Sequence, residues 1–188
     1  MNKPRYYLKD SYHHIYNRGV LSDPIFRNKT DYRFFVRKMQ KYKEKYMISI
    51  LSYCLMPTHF HLFLKQLTDH FKISKFTSDL LNSYTKAYNK KYNRTGVLFQ
   101  GKTKSKPVTD GKYYFDIFYY IIMNPVKAGL VATPTDWEYS CAKDYFGLRR
   151  EKVVDQNEIL AQFKSREELI SHLRGCQNLG GESSKSLL

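Results

Sequence analysis

Two apolar runs constrain this chain most: MISILSYCLM at 47–56 and HFHLFLK at 59–65, parted only by Pro57-Thr58. So short a separation turns the second run straight back beside the first, which predicts adjacent antiparallel strands. Upstream, SYHHIYNRGV at 11–20 reads as a strand entering a turn at Asn17-Arg18-Gly19. Between these strands, Phe34, Phe35, Met39 and Tyr42 recur at helical spacing, so the pattern predicts a helix over Thr30–Tyr46 with Asn28 or Thr30 as cap. A second helix is expected from about His70 to Tyr92, carrying Ile73, Phe76, Leu80, Leu81, Tyr84 and Tyr88 and ending near Asn93-Arg94-Thr95-Gly96. A short strand at Val97–Gln100 follows, then a basic loop, GKTKSKPV, and an aromatic helix over Lys112–Met123 that Asn124-Pro125 should stop. Residues 156–174 read as a last amphipathic helix, and the tail 180–188 as disordered.

The order strand, helix, strand, strand, helix, strand matches the βαββαβ arrangement of the ferredoxin-like α+β class. The expected architecture is an antiparallel sheet with helices on one face, plus the helix bearing Tyr120 and a C-terminal helical extension. Residues 1–150 are expected to form the main domain and 151–188 the extension and tail. At 188 residues the chain suits one domain with an appendage. It has no run near the roughly 18 apolar residues of a membrane span. The segment after Met1 has no apolar signal core, so a cytoplasmic location and no membrane partner are expected.

Charge narrows the function. The chain has 32 Lys and Arg against 17 Asp and Glu, and the excess lies in residues 1–150, where 27 basic residues face 11 acidic ones. Such a surplus on a compact domain indicates a polyanionic partner, nucleic acid foremost. The 17 Tyr and 12 Phe interleaved with it suit single-stranded nucleic acid, whose bases stack on rings while ammonium groups meet phosphates; many of these rings must also build the core. Cys54, Cys141 and Cys176 are far apart and form neither a disulfide framework nor a zinc motif.

The chemistry concentrates in Met56-Pro57-Thr58-His59-Phe60-His61. In a strand, His59 and His61 share a face and offer two imidazoles to a divalent cation. The same pattern describes two histidines on a wet sheet face. Tyr120 and Asn124 are four residues apart, one turn on a helix, so an Asn124 amide oxygen would complete a His-His-Asn set with Tyr120 beside it. Mixed nitrogen and oxygen ligands with open positions suit Mg²⁺ or Mn²⁺. Read blandly, Tyr120 is a core residue and Asn124 a helix terminator.

The sequence resembles the REP-associated tyrosine transposases, related to the IS200-like single-tyrosine transposases of the HUH endonuclease superfamily. The resemblance rests on YHHIYNRG (12–19), the D-Y-x-x-F element at Asp31, Tyr32 and Phe35, MPTHFHLFL (56–64), LFQGKTKSKPV (98–108), YIIMNPVKAGLV (120–131) and P-x-DW-x-YS (134–140), in order over residues 10–145. Phe99 and Tyr139-Ser140-Cys141 depart from what relatives often carry, Trp and Trp-Ser-Ser. The resemblance implies that His59, His61 and Asn124 are metal ligands and that Tyr120 is the catalytic tyrosine, attacking single-stranded DNA to leave a 3′-hydroxyl and a 5′-phosphotyrosine. It also implies a substrate, a DNA hairpin of a palindromic repeat with a single-stranded flank, and either a monomer or a homodimer. Arg18, Lys102, Lys104 and Lys106 are expected to contact phosphates, or else to be solvated surface charge. A non-catalytic nucleic-acid-binding regulator on the same fold is the alternative, and a relaxase or replication initiator of the superfamily a third reading.

Overall fold

The computed structural model describes residues 7–70, 72–150 and 153–178; the tail at 180–188 lies outside them. Four strands, β1 (Tyr12–Arg18), β2 (Ile48–Leu55), β3 (His59–Gln66) and β4 (Lys104–Val108), form one antiparallel sheet in the order β2-β3-β1-β4. With helices α1 (Lys29–Tyr46) and α2 (Lys72–Lys91) between them, the chain follows the expected βαββαβ order.

Both faces of the sheet are covered. Phe60 of β3 meets Phe35 of α1, and Phe35 in turn meets Tyr84 of α2. On the opposite face lies α3 (Gly111–Lys127), whose Tyr114 packs on Phe63. This double cover explains why 47–56 reads as a continuous apolar run: every residue of β2 is buried, so neither face needs polar side chains.

Local signals account for α1. Asn28 accepts from the backbone N–H groups of Thr30 and Asp31, and the Asp31 carboxylate accepts from that of Asn28, a reciprocal cap. Asp31 also accepts from Lys91 and Tyr92, tying the start of α1 to the end of α2.

Three expectations need correcting. The fourth strand is not Val97–Gln100 but β4, inside the stretch expected to be a basic loop. Leu98 and Gln100 make single backbone bonds to Val20 and Arg18 at the end of β1, then Gly101, at φ 59°, turns the chain away before the ladder begins at Lys104. The edge position tolerates Pro107, which has no N–H to offer a further strand. Second, α3 does not stop at Asn124-Pro125 but runs to Lys127. Burial of Ile121, Ile122, Met123 and Pro125 outweighs the one backbone bond the proline removes, and the helix ends just before Gly129, at φ 69°. Third, the expected helix at 156–174 is two, α5 (Asn157–Leu160) and α6 (Arg166–Asn178). Ser165 Oγ accepts from the N–H of Glu168, and the Glu168 carboxylate from that of Lys164, which starts a new helix there. A four-residue helix, α4 (Ala142–Tyr145), precedes them, and the adjoining Tyr139–Cys141 segment bonds along the outer edge of β2.

Candidate active site

Alternation along β3 sends Phe60, Leu62 and Leu64 toward α1 and α2, and His59, His61 and Phe63 toward α3. The register sets Arg18 opposite His59, Tyr16 opposite His61 and His14 opposite Phe63, so these β1 residues share that face. Lys104 pairs with Tyr16 and Lys106 with His14 on the other side of β1. The turn holding Arg18 depends on Gly19, where a Cβ would stand 2.1 Å from the Asp23 carbonyl oxygen.

From above, α3 lowers Tyr120 and Asn124 onto this surface, one turn apart and both buried. The Asn124 Oδ1 lies 3.2 Å from His59 Nε2. The Tyr120 ring stands nearly perpendicular to His61, centroids 5.2 Å apart, with Lys127 Nζ 5.8 Å from the tyrosine ring centre. Beside them opens a cleft of about 670 Å³ lined by Arg18, His59, His61, Lys102, Lys104 and Tyr120. Of the four cations expected to meet phosphates, Lys106 alone does not line it; it lies further along β4, engaged with neighbouring groups. Lys104 and Lys106 are strand residues, not loop residues.

Burial sets the protonation states. It pushes His61 well below the usual imidazole range, with His14 and His59 adding to the effect. Burial also lowers His59, against the Asn124 hydrogen bond and with help from Arg18. His14 falls to about 3 through burial and the nearby Lys106 charge. These rings are therefore neutral and able to offer lone pairs. The Tyr120 phenol is raised by burial, which its contact with Asn124 partly offsets, so it is protonated at neutral pH.

Among the described residues, no group of three or more His, Cys, Asp or Glu side chains could hold a metal ion. The His59, His61 and Asn124 set falls outside that description because its third member is an amide. It nonetheless fits a small divalent cation. Among the described residues His61 Nε2 is buried without a hydrogen-bond partner, a nitrogen whose desolvation none of them compensates. Adjacent ligands of an octahedral ion at 2.0–2.1 Å lie about 3 Å apart, close to the 3.2 Å between His59 Nε2 and Asn124 Oδ1. Thr58 Oγ1, 3.1 Å from His59 Nδ1, can accept the ring proton and leave Nε2 free to ligate.

The other tyrosines of α3 are placed differently. Tyr114 donates to Glu158, Tyr113 and Tyr119 are half-buried, and Tyr120 packs against His14 and His61. From sequence alone His14 counts as a bystander, and Tyr16 and Gln100 are not singled out. His14 Nε2 is 2.9 Å from His61 Nδ1, Tyr16 stacks on His14, and Gln100 accepts from Arg18 Nε. For His14 and Tyr16 the available signal was alternation along β1, since only one of His13 and His14 can share the face of His61.

Comparison with known proteins bears on the family and the fold. The family model described as "Transposase IS200 like" matches residues 8–121, from β1 through Tyr120. A REP-associated tyrosine transposase of Haemophilus influenzae is 30% identical over 133 residues, covering 64% of this chain and 74% of that protein. The solved structure of a REP-associated tyrosine transposase bound to a REP hairpin superposes with a TM-score of 0.66 at 21% identity, over 84% of this chain and 95% of that one. That likeness bears on the fold. Among the described residues, no helix is long and apolar enough to cross a membrane.

Proposed function

This chain belongs to the IS200-like transposase family, and from that premise we propose that it is a divalent-metal-dependent, tyrosine-nucleophile endonuclease and strand transferase for single-stranded DNA, acting at hairpins of a palindromic repeat. The observation that carries the reading is the meeting of Tyr120 with His59, His61 and Asn124 at one cleft edged by Arg18, Lys102 and Lys104. The hairpin partner is carried over from the relative solved with a REP hairpin.

In this reading Arg18, Lys102 and Lys104 hold the phosphates of a single strand entering the cleft, which leaves one phosphorus in line with the Tyr120 oxygen. The phenol oxygen forms a bond to phosphorus while the bond to the 3′ oxygen breaks; the phenol loses a proton and the departing 3′ oxygen gains one. One phosphodiester replaces another, so the step is near balance, and a different 3′-hydroxyl can reverse it without a nucleotide cofactor. Burial keeps the Tyr120 phenol protonated in the free protein, and a cation bound beside it would favour the ionised form. His59 Nε2, His61 Nε2 and Asn124 Oδ1 would hold Mg²⁺ or Mn²⁺, which would polarise a non-bridging phosphate oxygen.

Residues 1–150 carry this activity and 151–188 are an appended segment, a division supported by the confinement of the excess of basic over acidic residues to the first part. The test is incubation of the full chain with a hairpin oligonucleotide bearing a single-stranded flank, with Mn²⁺, read on a denaturing gel. A covalent protein–DNA adduct should form, vanish with chelator and be absent in Tyr120→Phe, which should still bind the DNA. Adducts persisting in Tyr120→Phe overturn the assignment.

A further inference from the structure

His14 has no part in the phosphoryl transfer proposed above, yet it is fully buried and in hydrogen-bond contact with one ring of the candidate cation site. Its Nε2 lies 2.9 Å from His61 Nδ1, with ring centroids 5.1 Å apart and planes 23° from parallel. That centroid separation is the N···N distance plus about one ring radius at each end. The rings therefore meet head-on, in plane, rather than face to face. Between two neutral imidazoles such a contact holds a single proton, and only two arrangements exist.

In one, His61 carries its proton on Nδ1 and donates to His14, leaving the His61 Nε2 lone pair bare. In the other, His14 Nε2 donates and His61 Nε2 bears hydrogen, which bars it from ligating a cation. The remote nitrogens, His61 Nε2 and His14 Nδ1, both lack a hydrogen-bond partner among the described residues. The protein by itself thus does not choose between the two; a cation at His61 Nε2 would.

We propose that His14 is a positioning residue, the acceptor that receives the His61 Nδ1 proton when a cation takes the Nε2 lone pair, so that the ligating tautomer buries no unsatisfied donor. The proposal rests on the reading of His61 as a cation ligand given above. Aromatic rings enclose His14: Tyr16 stacks on its ring at 4.7 Å, and the Tyr120 ring lies nearly perpendicular to it at 6.3 Å. A residue without an acceptor at position 14 would leave His61 Nδ1 facing an apolar wall, where keeping the proton on Nδ1 means burying an unsatisfied donor. Outer partners of ligating histidines act in this way on metal affinity.

The test uses the full-length ¹⁵N-labelled protein. Long-range ¹H–¹⁵N spectra should show the Nδ1-protonated tautomer of His61 in the Mg²⁺-loaded wild type; an Nε2-protonated His61 under Mg²⁺ overturns the proposal without any variant. Binding of Mn²⁺, followed by the paramagnetic signal of the free ion, should weaken by about 10- to 100-fold in His14→Phe. It should largely recover in His14→Gln, whose amide oxygen can accept the same proton. His14→Phe binding Mn²⁺ as tightly as wild type, with an unchanged melting temperature, refutes the positioning role. His61→Ala separates the two readings: if it retains full Mn²⁺ affinity, the ligand assignment itself fails, whereas if it loses affinity and His14→Phe does not, only the role of His14 fails.

Discussion

Glu158 offers a sharp test of how the C-terminal segment bears on the candidate site. It sits on α5 and accepts from Tyr12 of β1, from Lys65 Nζ of β3 at 2.8 Å and from the Tyr114 hydroxyl of α3 at 3.2 Å. One carboxylate therefore ties two strands to the helix that carries Tyr120. Glu158→Ala removes an acceptor from an ammonium whose side chain is only 18% exposed and from two phenols. Hydrogen bonds to a charged partner contribute about 1.5–3 kcal/mol each when well buried. Glu158 itself is 30% exposed, and Lys65 keeps Asp10 at 3.7 Å, so discounting for solvent leaves about 2–4 kcal/mol. In a chain of this length that loss corresponds to a fall of about 5–12 °C in melting temperature.

Glu158→Gln, which keeps an oxygen acceptor but not the charge, should lose roughly half as much. Burial raises the Glu158 carboxyl, but the Lys65 and Tyr12 hydrogen bonds more than offset this and hold it below its ordinary value. A carboxylate depressed in the folded state adds stability above its unfolded pKa, near about 4.3, and loses that contribution as pH falls through the folded value. The melting-temperature gap between wild type and Glu158→Gln should thus be constant above about pH 5.5 and shrink toward more acid pH. Thermal unfolding followed by circular dichroism across that range reads both effects. A Glu158→Ala melt within about 1 °C of wild type, or a gap that widens on acidification, refutes the reasoning.

Two further outcomes follow from the geometry. Gly19→Ala should cost about 1–3 kcal/mol, because the added methyl carbon would overlap the Asp23 carbonyl oxygen and force the turn after Arg18 to shift; urea unfolding measures it, and an unchanged midpoint would show that the turn yields freely. Lys102→Gln and Lys104→Gln should each weaken binding of single-stranded DNA and reduce the slope of log affinity against log salt by about 1, leaving thermal stability near wild type; unchanged slopes would remove these residues from the DNA path.

The amino-acid pattern by itself determined the elements whose information is local. The β2–β3 hairpin follows from two apolar runs with two residues between them, α1 from the Asn28 cap and its helical spacing, and α2 from a stripe running from Ile73 to Tyr88. Pairing His59 with His61 on one face needs only the two-residue period of a strand, and pairing Tyr120 with Asn124 only the helical turn. Each is a property of a few consecutive residues. The edge strand β4 was not legible in this way, because Lys104, Ser105, Lys106 and Pro107 have neither apolar alternation nor β preference; they become a strand only because β1 offers an unpaired edge. Continuation of α3 through Pro125 and the docking of α5 likewise depended on burial against distant groups. Tertiary structure alone decided that the two pairs meet, with Asn124 against His59 across 65 positions, and that His14 rather than His13 joins them. Contacts so far apart in sequence are set by strand order and register, which no local period encodes.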